Sequence, residues 1–127
     1  MNRHGDYETI KSEKDILRIT TTTNLVLVHF FHKEFRRCQI MDTHLSALSK
    51  KHFKTKVVKI DVQDCPFLVA RLIIQTLPCV VCFRNGIAVD RVVGFDELGG
   101  SDSFSFTTLE SRIAKSGKKE RDRIKHH

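Results

Sequence analysis

Ile74-Gln75-Thr76-Leu77-Pro78-Cys79-Val80-Val81-Cys82-Phe83-Arg84-Asn85-Gly86 is the stretch that decides the fold. From Cys79 to Phe83 it is unbroken apolar sequence with β-branched residues at its centre, which reads as a strand covered on both faces. Asn85-Gly86 then signals a tight hairpin, because both residues tolerate positive φ. Ile87–Val93 therefore returns antiparallel. Cys79 and Cys82 have the spacing of a C-x-x-C pair but not its setting. Redox pairs sit on a strand-to-helix turn, where helix amides stabilise a thiolate. Three residues apart on one strand, two side chains point to opposite faces and cannot bridge. Both read as small apolar core residues.

Outward from this hairpin the chain alternates helix and strand. Leu25–Phe31 is a second apolar run of central-strand character. A helix follows over about 36–52, with Cys38, Met41, Leu45 and Leu48 on one stripe and Lys50, Lys51 and His52 near its C-terminus. Val57–Val62 is the next strand, parallel to the first across a right-handed helical crossover. Pro66 opens a short helix to about Leu72. Upstream, Ser12-Glu13-Lys14-Asp15 reads as a capped helix start that buries Ile16 and Ile19 and ends in the threonines Thr20 to Thr23. Downstream, Thr107-Thr108-Leu109-Glu110 reads as a capping box for a last helix with Leu109 and Ile113 inward. The expected order is α-β-α-β-α-β-β-α in one α/β domain over 12–114. A lead-in segment, 1–11, precedes it, and a basic tail expected to be disordered, 115–127, follows.

At 127 residues, 40% apolar and 29% charged, the chain suits one soluble domain with a full core. No apolar run approaches the ~20 residues that span a bilayer. Residues 1–15 lack the apolar stretch of a secretory signal, which makes cytosol or nucleus the default. Cysteine and histidine spacing gives no zinc pattern, and no metal or cofactor is expected. The net charge is +7, of which +4 falls within Lys115–Lys125. Such a tail is read as a solvated segment, not a nucleic-acid-binding one.

The proline, buried strand and Asn-Gly hairpin of residues 74–86 resemble the thioredoxin pattern, in which that proline is cis and faces the active-site helix. More narrowly, the chain is similar to the phosducin-like family, which includes thioredoxin domain-containing proteins. The segments that carry this are His4-Gly5-Asp6-Tyr7, Phe35-Arg36-Arg37-Cys38, Leu45 through His52, Cys65-Pro66-Phe67-Leu68 and Val92 through Gly99. The resemblance runs from about Gly5 to Ile113. It implies a thioredoxin-like fold: a central mixed sheet, parallel βαβ plus antiparallel hairpin, flanked by helices, with a cis Leu77–Pro78 bond.

Aligned on the family's active-site turn, Glu34-Phe35-Arg36-Arg37-Cys38 takes the place of Trp-Cys-Gly-Pro-Cys. Phe35 stands where the attacking cysteine would be, and Cys38 holds the resolving position. Exchange needs an accessible thiolate first and a neighbour to release it second, so no catalytic residue is expected. Cys38 remains a residual redox candidate, with Cys79 near it. A helix's first turn, Arg36 and Arg37 would all lower its pKa, while its place on the helix stripe favours core packing. His29 falls where thioredoxins keep a buried acid and is read as a hydrogen-bonded core histidine.

What the resemblance implies is a non-catalytic partner of the cytosolic chaperonin that regulates folding of actin- and tubulin-type clients, located in the cytoplasm and also the nucleus. Phe35, Arg36, Arg37 and Pro78 are the binding candidates. The alternatives are a thiol redox protein using Cys38 and a spliceosome-associated thioredoxin-like protein.

Overall fold

The computed structural model describes residues 5–125, with side chains described through Ser116. Its strands are β1 (Tyr7–Ile10), β2 (Leu25–Phe31), β3 (Lys56–Asp61), β4 (Cys79–Arg84) and β5 (Ile87–Val93). Its helices are α1 (Glu13–Thr22), α2 (Arg36–Lys51), α3 (Pro66–Leu72) and α4 (Phe106–Lys125). The apolar runs β2 and β4 pair antiparallel near the centre of one sheet of order β1-β3-β2-β4-β5. β3 runs parallel to β2, joined through α2, and β5 returns from β4 through Asn85 and Gly86, both at positive φ. It is a thioredoxin-like mixed sheet flanked by four helices.

Alternation along the strands builds two core layers. Val26, Val28 and Phe30 of β2 face Ile16 and Ile19 of α1 and Leu68 of α3. On the other face, Leu27, Val57 and Val80 meet Met41, Leu45 and Leu48 of α2 and Leu109 of α4. Cys79 and Cys82 fall in different layers, as strand geometry requires.

Three boundaries differ from the sequence reading. The lead-in 1–11 is not outside the domain: Tyr7–Ile10 forms an edge strand parallel to β3, with Tyr7 opposite Val57 and Ile10 opposite Ile60. Four residues are too few to show a period, and Lys56 secures the strand by donating to Glu8 at 2.5 Å. The last helix is capped by Ser105, not Thr107, because Ser105 Oγ accepts from the Thr108 amide at 3.1 Å. Glu110 is thereby left to bind elsewhere. The expected disordered tail from Lys115 is helical through Lys125, and His126 and His127 lie outside the described residues. Lys118, Lys119, Glu120 and Arg121 are strong helix formers, and extending an existing helix avoids the cost of nucleating one.

Ser12 occupies the N-cap position of α1 without a side-chain bond. Glu13 reaches instead to the amides of Phe67 and Leu68, at 3.3 and 2.7 Å, and caps α3. Thr20, Thr21 and Thr22 stay helical by returning hydroxyl bonds to the carbonyls of Ile16, Leu17 and Arg18, at 3.0, 2.8 and 2.7 Å.

Candidate functional site

β2 delivers the chain to a tight loop ahead of α2. The Phe35 amide donates to the His32 carbonyl at 3.1 Å, and the Glu34 amide donates to His32 Nδ1 at 3.1 Å. Phe35 is the N-cap residue of α2, in extended conformation and without a capping side chain. Its ring stands 5.2 Å from that of His32 and is 47% exposed. Phe35 is thus a surface phenyl group at the mouth of the fold.

One turn on, Cys38 is only 1% exposed. Burial pushes its thiol up, against a backbone hydrogen bond at His32 that pulls it down. The lowered pKa expected from the helix start and its arginines is not what the environment produces. Arg36 is turned to solvent, with its side chain 83% exposed. Arg37 is bound away from the sulfur: its Nε donates to Asp102 at 2.8 Å, and its guanidinium lies 4.7 Å over the Phe95 ring. Desolvation therefore wins over the positive charges. Cys79 is buried as well, and burial raises its thiol too.

The Leu77–Pro78 peptide bond is cis. Pro78 itself is buried, and its carbonyl accepts from the Gly94 amide at 2.8 Å. Of the four binding candidates, Phe35 and Arg36 are exposed at the surface, Arg36 with its Nε 4.0 Å from Asp102. Arg37 is committed to Asp102 and Phe95, and Pro78 is covered. At this edge Thr76 and Val93 carry the exposed surface.

Behind the mouth lies a polar network that sequence reasoning found only in part. His29 of β2 is fully buried. Tyr7 OH donates to Asp42 Oδ1 at 2.6 Å and lies 2.8 Å from His29 Nδ1. Asp42 Oδ1 is also 3.2 Å from His29 Nδ1, and Lys59 Nζ donates to Asp42 Oδ2 at 3.0 Å. The tyrosine proton is given to the carboxylate, so His29 Nδ1 must carry its own hydrogen to face two oxygens. His29 is then the Nδ1–H tautomer, with Nε2 a buried acceptor that has no partner among the described residues. Burial lowers the His29 pKa, against the pull of Asp42. Partial burial pushes Asp42 up, but hydrogen bonds from His29, Tyr7 and Lys59 overcome it and hold the carboxyl at about 2. The network can hold a proton in place.

Both shifts point the same way under acid. His29 has a folded pKa below 6.5, so the unfolded chain takes up its proton first, and stability falls as pH drops through 6.5. The contribution of Asp42 is complete above its unfolded value near 3.8 and is lost as pH falls toward 2. The urea midpoint of the wild type should therefore fall between about pH 7.5 and 5.5, and more steeply than that of His29→Gln. His44, also lowered by burial, adds the same slope to both proteins, so the difference between them reports His29.

Among the described residues no helix is long and apolar enough to cross a membrane. No group of three or more His, Cys, Asp or Glu is placed to hold a metal ion among them.

The sequence model of the Thioredoxin family matches residues 9–100. Thioredoxin domain-containing protein PLP3B of Arabidopsis thaliana is 50% identical over 114 residues, covering 90% of this chain and 49% of that protein. Phosducin-like protein 3 of Dictyostelium discoideum is 45% identical over 117 residues, 92% of this chain and 63% of that one. Human thioredoxin domain-containing protein 9 is 42% identical over 113 residues, 89% and 50% of the two chains. The chain spans about half the length of most of these curated relatives. Among solved structures, a thioredoxin variant from Halobacterium salinarum superposes with a TM-score of 0.75 at 20% identity, covering 91% of this chain and 95% of that one. Oxidised thioredoxin from Plasmodium falciparum gives 0.73 at 22% identity, over 87% and 97%.

Proposed function

The chain belongs to the thioredoxin family, with phosducin-like proteins among its relatives, and from that premise we propose that it is a non-catalytic binding protein of the cytosolic chaperonin. In this reading it regulates the handling of actin- and tubulin-type clients in the cytoplasm. The observation that carries the non-catalytic half is the mouth of the fold, where position 35 carries an exposed phenyl and the sulfur of Cys38, one turn on, is buried. Disulfide exchange starts with an accessible thiolate, and all four cysteines are buried. With dithiothreitol present, the wild-type chain should reduce insulin no faster than dithiothreitol alone.

The chaperonin half rests on the resemblance to the phosducin-like family. Phe35 and Arg36 are the surface residues that suit it, since exposed aromatic and arginine side chains anchor interfaces. The purified chain should co-sediment with the chaperonin ring, and the combined Phe35→Ala and Arg36→Ala changes should weaken binding about tenfold or more. Migration of the wild-type chain free of the ring would overturn this reading.

A further inference from the structure

At the end of β2 away from Phe35, α2 and α4 part over the sheet and leave a cavity of about 190 Å³. Its floor is two cross-strand pairs, Leu25 opposite Arg84 and Leu27 opposite Cys82. Leu48 and His52 at the end of α2 form one wall, and Ile113 and Ala114 of α4 form the other. The space exists because Cys82, Ala114 and Ser116 are short where longer side chains would close it. A dry cavity of about 150 Å³ lined by aliphatic groups takes up benzene, so this one has room for a flat apolar molecule.

Two charged groups give the cavity polarity. The Glu110 carboxylate is already answered, with Lys51 Nζ and His52 Nε2 each 2.7 Å from Oε2. Arg84 has no carboxylate partner among the described residues, and its Nε is buried without an acceptor. A guanidinium stays protonated and matches a carboxylate with two parallel bonds. Cys82, held at about 11 by burial, remains a neutral thiol and lines the floor as an apolar group.

We propose that this cavity binds a small carboxylate with a flat apolar body, its rings between Leu27, Leu48 and Ile113 and its carboxylate on the Arg84 guanidinium. A neutral apolar ligand would leave Arg84 unanswered, and a cation would be repelled by it.

The test titrates the full chain with 2-naphthoate, and with neutral 2-naphthamide of the same shape, following backbone amide shifts by NMR. Saturable shifts centred on Leu27, Cys82 and Ile113 are expected for 2-naphthoate. Arg84→Gln should weaken 2-naphthoate about tenfold or more while moving 2-naphthamide less than about twofold. Ala114→Phe should abolish both. Ala114 is exposed on α4, so the larger side chain leaves the core layers intact, and the Arg84→Gln arm stands independently of it. No saturable shift at millimolar 2-naphthoate, shifts centred elsewhere, or equal affinity in Arg84→Gln would each overturn the proposal.

Discussion

Phe35→Cys is expected to reduce insulin in the presence of dithiothreitol about tenfold or more faster than the wild type, because a thiol there gains access and a lowered pKa together. Position 35 is the exposed N-cap of α2. The free amides of the helix's first turn would stabilise a thiolate on that side chain. That thiolate would attack an insulin disulfide and displace one insulin thiolate. Cys38, one turn on, would lose its proton to solvent and attack the mixed disulfide, releasing the second insulin thiolate. Dithiothreitol would then reduce the new intramolecular disulfide. Combining Phe35→Cys with Cys38→Ser should stop after the first step and trap the mixed disulfide, visible by mass. A Phe35→Cys protein as inert as the wild type would show that burial of Cys38, and not loss of the attacking sulfur, silences the site.

The largest stability loss is expected at Arg112. This side chain is 6% exposed, donates from Nη1 and Nη2 to the Asp90 carboxylate at 2.6 and 3.1 Å, and donates from Nε to Glu97 at 3.0 Å. It also donates to the Arg91 carbonyl at 3.1 Å, and so fastens α4 to β5. The hydrogen bond to Asp90 raises its pKa, so Arg112 keeps its charge. Arg112→Met keeps the length and removes the charge, leaving the 9% exposed Asp90 without its bidentate cation. Breaking a buried pair from one side costs about 3–5 kcal/mol. Urea unfolding should show that loss, and Arg112→Met with Asp90→Leu should recover much of it, since the desolvated charge is then gone as well. A loss below about 1 kcal/mol would mean that the other partners of Asp90, Ser116 among them, hold its charge without Arg112.

How much of this was legible in the sequence follows from how local each signal is. The β4–β5 hairpin was readable because two apolar runs flank an Asn-Gly pair. α2 was readable because its stripe persists over about three turns, and Phe35 because the stretch around it aligns with a known turn. β1 was not, since an edge strand of four residues is defined by the partner it meets and not by its own pattern. The network behind the mouth was hidden for a related reason. Tyr7, His29, Asp42 and Lys59 come from four elements, and Asp42 on a helix reads as a solvated carboxylate until β1 and β3 bring Tyr7 and Lys59 to it. Arg37 looked like a free surface anchor because Asp102, which holds it, lies in a loop with no signal of its own. At Cys38 two local signals disagreed. Local charge favoured a reactive thiol while the helix stripe favoured packing, and the structure follows the stripe.

The most direct measurement is titration of the reduced native protein with Ellman's reagent, before and after denaturation. Four thiols should react within seconds in denaturant, and none within minutes in the folded chain, because every cysteine is buried. One thiol reacting at once in the native protein, and lost in Cys38→Ser, would contradict the account: the mouth of the fold would then hold a working nucleophile.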